Sequence, residues 1–156
     1  MAVEAIPKGY AGSVPYLICR NAEAAIDFYK RAFGAEELFR IGGPGMIGHA
    51  ELRICGAAVM LADEHPEMGA VSPCALGGTP VSIMIYMDNV DAFTEKAIGE
   101  GLKVLKPVAD QFYGDRSGHF EDPFGHRWAF ATHIEDVSPD EMGRRADALF
   151  GGKGEN

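Results

Sequence analysis

The chain repeats itself. Landmarks that punctuate its first half return in the second at a nearly constant spacing. Asn21 recurs as Asn89, Gly34 as Gly101 and Gly56 as Gly125, intervals of 68, 67 and 69 residues. Between these landmarks the same order of elements, strand–helix–strand–strand–strand, is written twice. A repeat of that length is one supersecondary unit used again, so the 156 residues read as two βαβββ units rather than one doubly wound sheet.

Each element has a local reason. SVPYLIC (13–19) has the length and composition of a strand. Asn21 is placed to cap a helix in which Ala22, Ile26, Tyr29 and Phe33 share one face and Gly34 supplies the stop. EELFRIG and MIGHAELRI read as strands around the turn GGPG, and AAVMLA as another after Gly56. Residues 63–78, with two Pro and three Gly, read as an unstructured linker. PVSIMIYM (80–87) then opens the second unit. Asn89 caps its helix, and LKVLKPV, DRSGHFE and HRWAFATH are its remaining strands. Ser138, Pro139 and Glu141 form a helix start for a last short helix, ahead of a frayed tail, GGKGEN. One α+β domain is expected, with modules at about 12–62 and 79–134 and a C-terminal helix at about 138–150.

Charge narrows the function. The net charge is −9 and no Lys/Arg cluster stands out, which argues against nucleic acid and anionic membranes as partners. The N-terminus shows no signal-peptide pattern, and no apolar run approaches the ~20 residues of a membrane span. Cys19, Cys55 and Cys74 are odd in number and widely spaced. They read as free thiols in a reducing compartment, so a cytoplasmic location is expected.

Two His-x-Glu pairs carry the most chemistry, GHAE at 48–51 and GHFE at 118–121. Residues two apart on a strand share a face, so each pair offers an imidazole beside a carboxylate. His49, Glu51, His119 and Glu121 could hold a metal at a non-standard site or transfer protons. They could equally be polar groups at a solvated rim, the imprint of the duplication. The motif alone is weak, since zinc sites show tighter ligand sets. Asp63, Glu64 and His65 are consecutive and splay apart. Arg116, in the loop YGDRSG, could clamp a carboxylate or phosphate, or hold its own turn through an Asp–Arg contact. His126 follows the DPFG turn as a structural residue, and His133 caps a strand end.

The stretches PYLICRNAEAAIDFYKRAFGAEE and YGDRSGHFEDPFGHRW, with the tail IEDVSPDEMGRR, resemble the vicinal-oxygen-chelate superfamily, which includes glyoxalase I, extradiol dioxygenases and bleomycin-resistance proteins. They look most like its PhnB-like branch. The resemblance covers about residues 12–148 and implies a mixed sheet curled around a cavity, with helices outside, in a homodimer. In metal-dependent members it implies four ligands from the first and last strands of each module. Those positions fall here on Pro15, Met60, Ser82 and Ala129, which are poor ligands or none. The expected function is therefore that of a metal-free, cofactor-free protein binding an apolar or aromatic small molecule. Met60, Ser82, Met84 and Tyr86 would line the site, with Arg116, His119 and Glu121 fixing orientation. Strand alternation then turns Leu17 and Cys19 inward as well, and sends Ile18, Leu61 and Trp128 to the core. The alternative is a metal-dependent lyase, isomerase or dioxygenase using His49, Glu51, His119 and Glu121 on a divalent ion. A structural protein that has lost its site is the third possibility.

Overall fold

Two helices, each laid on its own four-stranded sheet, organise the chain. The computed structural model describes residues 3–151, so most of the tail expected to fray lies outside the described residues. The first unit comprises β1 (Tyr16–Cys19), α1 (Ala22–Phe33), β2 (Glu36–Gly43), β3 (Met46–Ile54) and β4 (Ala57–Asp63). A 3-10 turn (Pro66–Met68) and α2 (Pro73–Leu76) connect it to β5 (Ser82–Tyr86), α3 (Val90–Gly99), β6 (Lys103–Asp110), β7 (Asp115–Glu121) and β8 (Arg127–His133). Helix α4 (Pro139–Phe150) follows. The strand orders are β1-β4-β3-β2 and β5-β8-β7-β6, with only β1/β4 and β5/β8 parallel. The fold is α+β, built from two βαβββ modules.

The caps are as the sequence predicts. Asn21 accepts the Ala24 N–H and Asn89 the Ala92 N–H, each at 3.0 Å. A second tie recurs in both modules. The end of the last strand holds the start of the helix, Asp63 Oδ1 accepting from Ala22 N at 2.6 Å and Thr132 Oγ1 from Val90 N at 2.9 Å. The linker departs from expectation and forms two short helical turns. Pro66 and Pro73 open them, and Gly69 and Gly77, at φ 78° and 82°, close them. Residues read as breakers are here the two ends of a helical turn.

The expected alternation holds in β3, β4, β5, β7 and β8 and is reversed in β1. Val59, Leu61, Trp128 and Phe130 are buried under the helices, while Met60, Ser82, Met84, Tyr86, His119 and Glu121 lie on the opposite faces. In β1 it is Leu17 and Cys19 that are buried, and Tyr16 that faces outward beside Met60. The apolar run VPYLIC has no polar side to betray its parity.

Helix α1 belongs to both cores. The Phe33 ring lies 5.1 Å from Trp128 and 5.2 Å from Phe130, both on the second sheet. Among these rings sits a carboxylate, Asp122, only 4% exposed. It accepts from Tyr29 Oη at 2.6 Å, Trp128 Nε1 at 2.8 Å, and the backbone N–H groups of Phe124 at 2.9 Å and His126 at 3.0 Å. Four donors replace the water lost on burial. Burial, and then the Asp122 charge, hold the Tyr29 hydroxyl well above its ordinary pKa, so it remains a donor. Tyr29→Phe removes one bond to a charged group and is expected to cost about 1.5–3 kcal/mol in urea denaturation. A change below about 0.5 kcal/mol would show that the bond does not join the modules.

Candidate functional site

Both sheets carry their helices on one side and leave the other bare. Tyr16, Met84 and Tyr86 are 48%, 44% and 55% exposed on those open faces. Where β1 and β5 line the same space there is an open cleft of about 700 Å³. Pro15, Tyr16, Ala58, Val81, Ser82 and Met84 are among its walls, and the N-terminal segment closes one side through Gly9, Ala11 and Ser13. Such a lining is apolar with a few polar atoms, which is the make-up of a small-molecule pocket.

Strand register decides which side chains stand together. In the first sheet Tyr16, Met60, Glu51 and Phe39 share one rung across four strands. In the second, Met84, Ala129, His119 and Lys106 form the equivalent rung. Glu51 therefore corresponds to His119, and Arg53, opposite Ala58, to Glu121, opposite Arg127. The two His-x-Glu pairs are offset by two residues in the structural repeat. They are not the imprint of duplication; an even offset merely leaves them on the same face. The β3–β4 turn has two residues, Cys55 and Gly56, at φ 47° and 81°, the left-handed pair that a tight hairpin requires. The β7–β8 turn is longer, closing at the Asp122–His126 backbone pair.

Each half of the repeat has made something different of its face. In the first, Tyr16 Oη lies 2.7 Å from His49 Nδ1, His49 Nε2 lies 3.1 Å from Glu51 Oε1, and the Tyr10 hydroxyl donates to Glu51 Oε2. A carboxylate only accepts, so His49 presents Nε2–H to Glu51, and in the neutral ring its Nδ1 accepts the Tyr16 proton. Arg53 covers the Tyr10 ring at 5.7 Å and donates to Gly9 O at 3.1 Å. The hydrogen bonds from Tyr10 and then His49 hold Glu51 below its ordinary pKa, and Tyr10 is raised in return. Burial, then Glu51, raises Tyr16, which suits a proton donor better than a phenolate. In the second half, Asp115 is buried and accepts from Tyr86 Oη at 2.6 Å, with His133 Nδ1 2.8 Å away. Asp115, then Asp136, raises the His133 pKa. Rather than simply capping a strand end, His133 joins an Asp–His–Asp chain.

Other candidates fall elsewhere. Arg116 lies on the helix side of β7, its guanidinium bound to Asp91 at 2.7 and 2.8 Å and to Asp110 at 2.9 Å. That places it away from the open face, because its strand parity matches the buried Phe120. Glu64 holds Ser72, and Asp63 holds two backbone N–H groups, so the consecutive Asp63, Glu64 and His65 do not converge. His126 Nε2 meets Ile18 O at 2.9 Å, bridging the modules. Cys19 is fully buried, and its thiol is pushed far up by that burial.

The donor set does not fit a divalent metal. The positions expected to carry ligands, Pro15, Met60, Ser82 and Ala129, offer one thioether and one hydroxyl, and the strand register sets only a phenol, Tyr16, beside Met60 and a second thioether, Met84, beside Ala129. The alternative set is not assembled, because His49 and Glu51 stand on one sheet and His119 and Glu121 on the other. Among the described residues no three His, Cys, Asp or Glu side chains are grouped to hold an ion.

The two-module fold matches known proteins. The chain belongs to the Glyoxalase/Bleomycin resistance protein/Dioxygenase superfamily, whose family model matches residues 11–130. The uncharacterized protein Mb0911c of Mycobacterium bovis is 44% identical over 132 residues, 82% of this chain and 87% of that one. The crystal structure of TioX from Micromonospora sp. ML1 is similar at a TM-score of 0.65 and 31% identity, over 79% of this chain and 100% of that one. FosX from Listeria monocytogenes, a fosfomycin resistance protein solved in complex with Mn(II) and sulfate, shares the fold at a TM-score of 0.58 and 22% identity, over 86% of this chain and 97% of that one. No helix among the described residues is long and apolar enough to cross a membrane.

Sequence reasoning missed Tyr10 and Tyr16, the first in a segment with no periodic signal and the second through the β1 parity. Because Glu51 titrates below its ordinary value of 4.5, the network's contribution to stability is complete above that value. It is lost as pH falls through the folded-state pKa. Carboxyl ¹³C NMR should place the Glu51 midpoint below 4.5, and Tyr10→Phe should move it upward. A midpoint that ignores Tyr10→Phe contradicts the network.

Proposed function

We propose that the protein is a metal-free small-molecule-binding protein of the glyoxalase/bleomycin-resistance type, holding an apolar or aromatic ligand in the cleft between β1 and β5. The observation that carries this reading is the cleft itself. It is about 700 Å³, walled by Tyr16, Met84, Val81 and Pro15, and bordered by strand positions that hold thioethers and a phenol in place of metal ligands. Soft methionines and one aromatic face adapt to a flat apolar molecule. The bare faces around Tyr86 and Met46 are suited to a second copy of the chain, and a homodimer would shield them. The DPFG-containing stretch supports placement in the PhnB-like branch. The unpaired Cys19, Cys55 and Cys74 fit a reducing, cytoplasmic setting.

One observation favours a second reading. The Tyr16–His49–Glu51 chain has the form of a hydroxyl backed by an oriented base, so Tyr16 Oη would take a proton from the bound molecule as its own proton passes to His49 Nδ1. In that case Tyr16→Phe abolishes conversion of the ligand while leaving its binding nearly intact.

A native-state ligand raises stability by mass action, about 2.7 kcal/mol at one hundred times its Kd. A neutral aromatic probe such as 1-naphthalenemethanol is expected to raise the melting temperature of the wild type and to have no effect on Met84→Arg. An unchanged melting temperature across a panel of aromatic compounds would overturn the binding reading.

A further inference from the structure

Beside the apolar cleft lies a second hollow of about 340 Å³, and the two share Ser82 and Arg127 as walls. The second hollow adds Lys106 and His119. These groups stand on adjacent rungs of the second sheet. Arg127 is opposite Ser82 on one side and Glu121 on the other, while His119 is opposite Lys106 and Ala129. The one carboxylate on these two rungs, Glu121, lies 3.8 Å from Arg127 and 4.0 Å from Lys103, distances of loose exposed pairs. The Lys106–His119 rung carries no carboxylate at all. This is a concentration of positive charge on a chain whose net charge is −9.

The first module makes the contrast plain. At the position of His119 it has Glu51, tied to Tyr10 and His49, and its outer strand there offers Phe39 rather than a lysine. The first module's own open-face cation, Arg53, is engaged by the Tyr10 ring and Gly9 O, so the loosely paired positive charge lies at the end of the cleft under β5, β8, β7 and β6.

Building on the binding reading, we propose that the ligand is an amphipathic molecule with an apolar or aromatic body and one oxyanion group. The body lies between Tyr16 and Met84. The oxyanion, a carboxylate or a phosphate, points past Ser82 toward Arg127, Lys106 and His119. The guanidinium can meet two oxygens at once, the ammonium adds a point charge, and the serine hydroxyl donates from the junction of the two hollows.

The test is calorimetric titration of the full chain with three matched probes: 1-naphthoate, 1-naphthyl phosphate and neutral 1-naphthalenemethanol. At low salt at least one anionic probe is expected to bind ten times or more tighter than the alcohol, with the advantage shrinking as salt rises. The stronger of the two anions identifies the oxyanion class. In Lys106→Gln/Arg127→Gln the advantage over the alcohol, both measured on the same variant, should fall below about threefold. Both side chains are exposed, and Lys106→Gln alone should give an intermediate loss if the double variant folds poorly. Equal binding of all three probes to the wild type, or an anionic advantage that survives the double variant, overturns this inference and leaves the binding reading standing. Failure of all three to bind overturns both.

Discussion

A buried carboxylate holds the two modules in place. Asp122 leaves the end of β7, accepts two backbone N–H groups of its own turn and the Trp128 indole, and reaches across the module boundary to Tyr29 on α1. Bonds to a charged acceptor are the strong ones, and a donor lost from a buried charge is costly. The bond fixes α1 against the second sheet, with Phe33 packed on Trp128 and Phe130. His126, from the same turn, holds the backbone of β1 at Ile18. The position of β1 relative to β5, and so the cleft between them, follows from this one turn.

Duplication supplied two similar open faces, and side-chain substitution has since made them unlike. One carries a closed polar chain, Tyr10–Glu51–His49–Tyr16, whose donors and acceptors satisfy one another. The other carries Lys106, His119 and Arg127 on the equivalent strands, with a single loosely paired acid. An apolar cleft between a self-satisfied face and a basic one distinguishes the two ends of whatever lies in it. The positions at which the family resemblance implies metal ligands hold Pro15, Met60, Ser82 and Ala129, with Tyr16 beside Met60 and Met84 beside Ala129, so the proposed binding rests on apolar contact, hydrogen bonds and charge.

Much of this was legible in the sequence. The repeat of Asn, Gly and Gly landmarks gave two modules because caps and stops are local chemistry, and both asparagines do cap their helices. Alternation placed Met60, Ser82, Met84, Tyr86, His119 and Glu121 on open faces, since those strands have one large apolar side and one mixed side. It fails for β1, where VPYLIC is apolar on both sides and Leu17 and Cys19, expected to face inward, are buried under the helices. Register was not legible. The GHAE and GHFE motifs look equivalent in one dimension and sit two residues out of step in three, because they recur after 70 residues whereas the paired strands repeat after 68. Arg116 looked like a ligand clamp because its loop is Gly-flanked, yet its partners are Asp91 and Asp110, contacts that depend on how α3 lies over β7. Tyr10 carried no signal, as it belongs to no periodic element.

The proposed function requires an aromatic molecule between β1 and β5, against Tyr16 and Met84. Methionine ε-methyl groups report this directly by ¹H–¹³C NMR, since ring currents act only at short range. On titration of methyl-labelled protein with 1-naphthoate, the Met84 signal should move furthest, with Met60 following and the remote, exposed Met68 unchanged. Saturating shifts at Met68 with Met84 unmoved, or no shift at any methionine, would contradict the account.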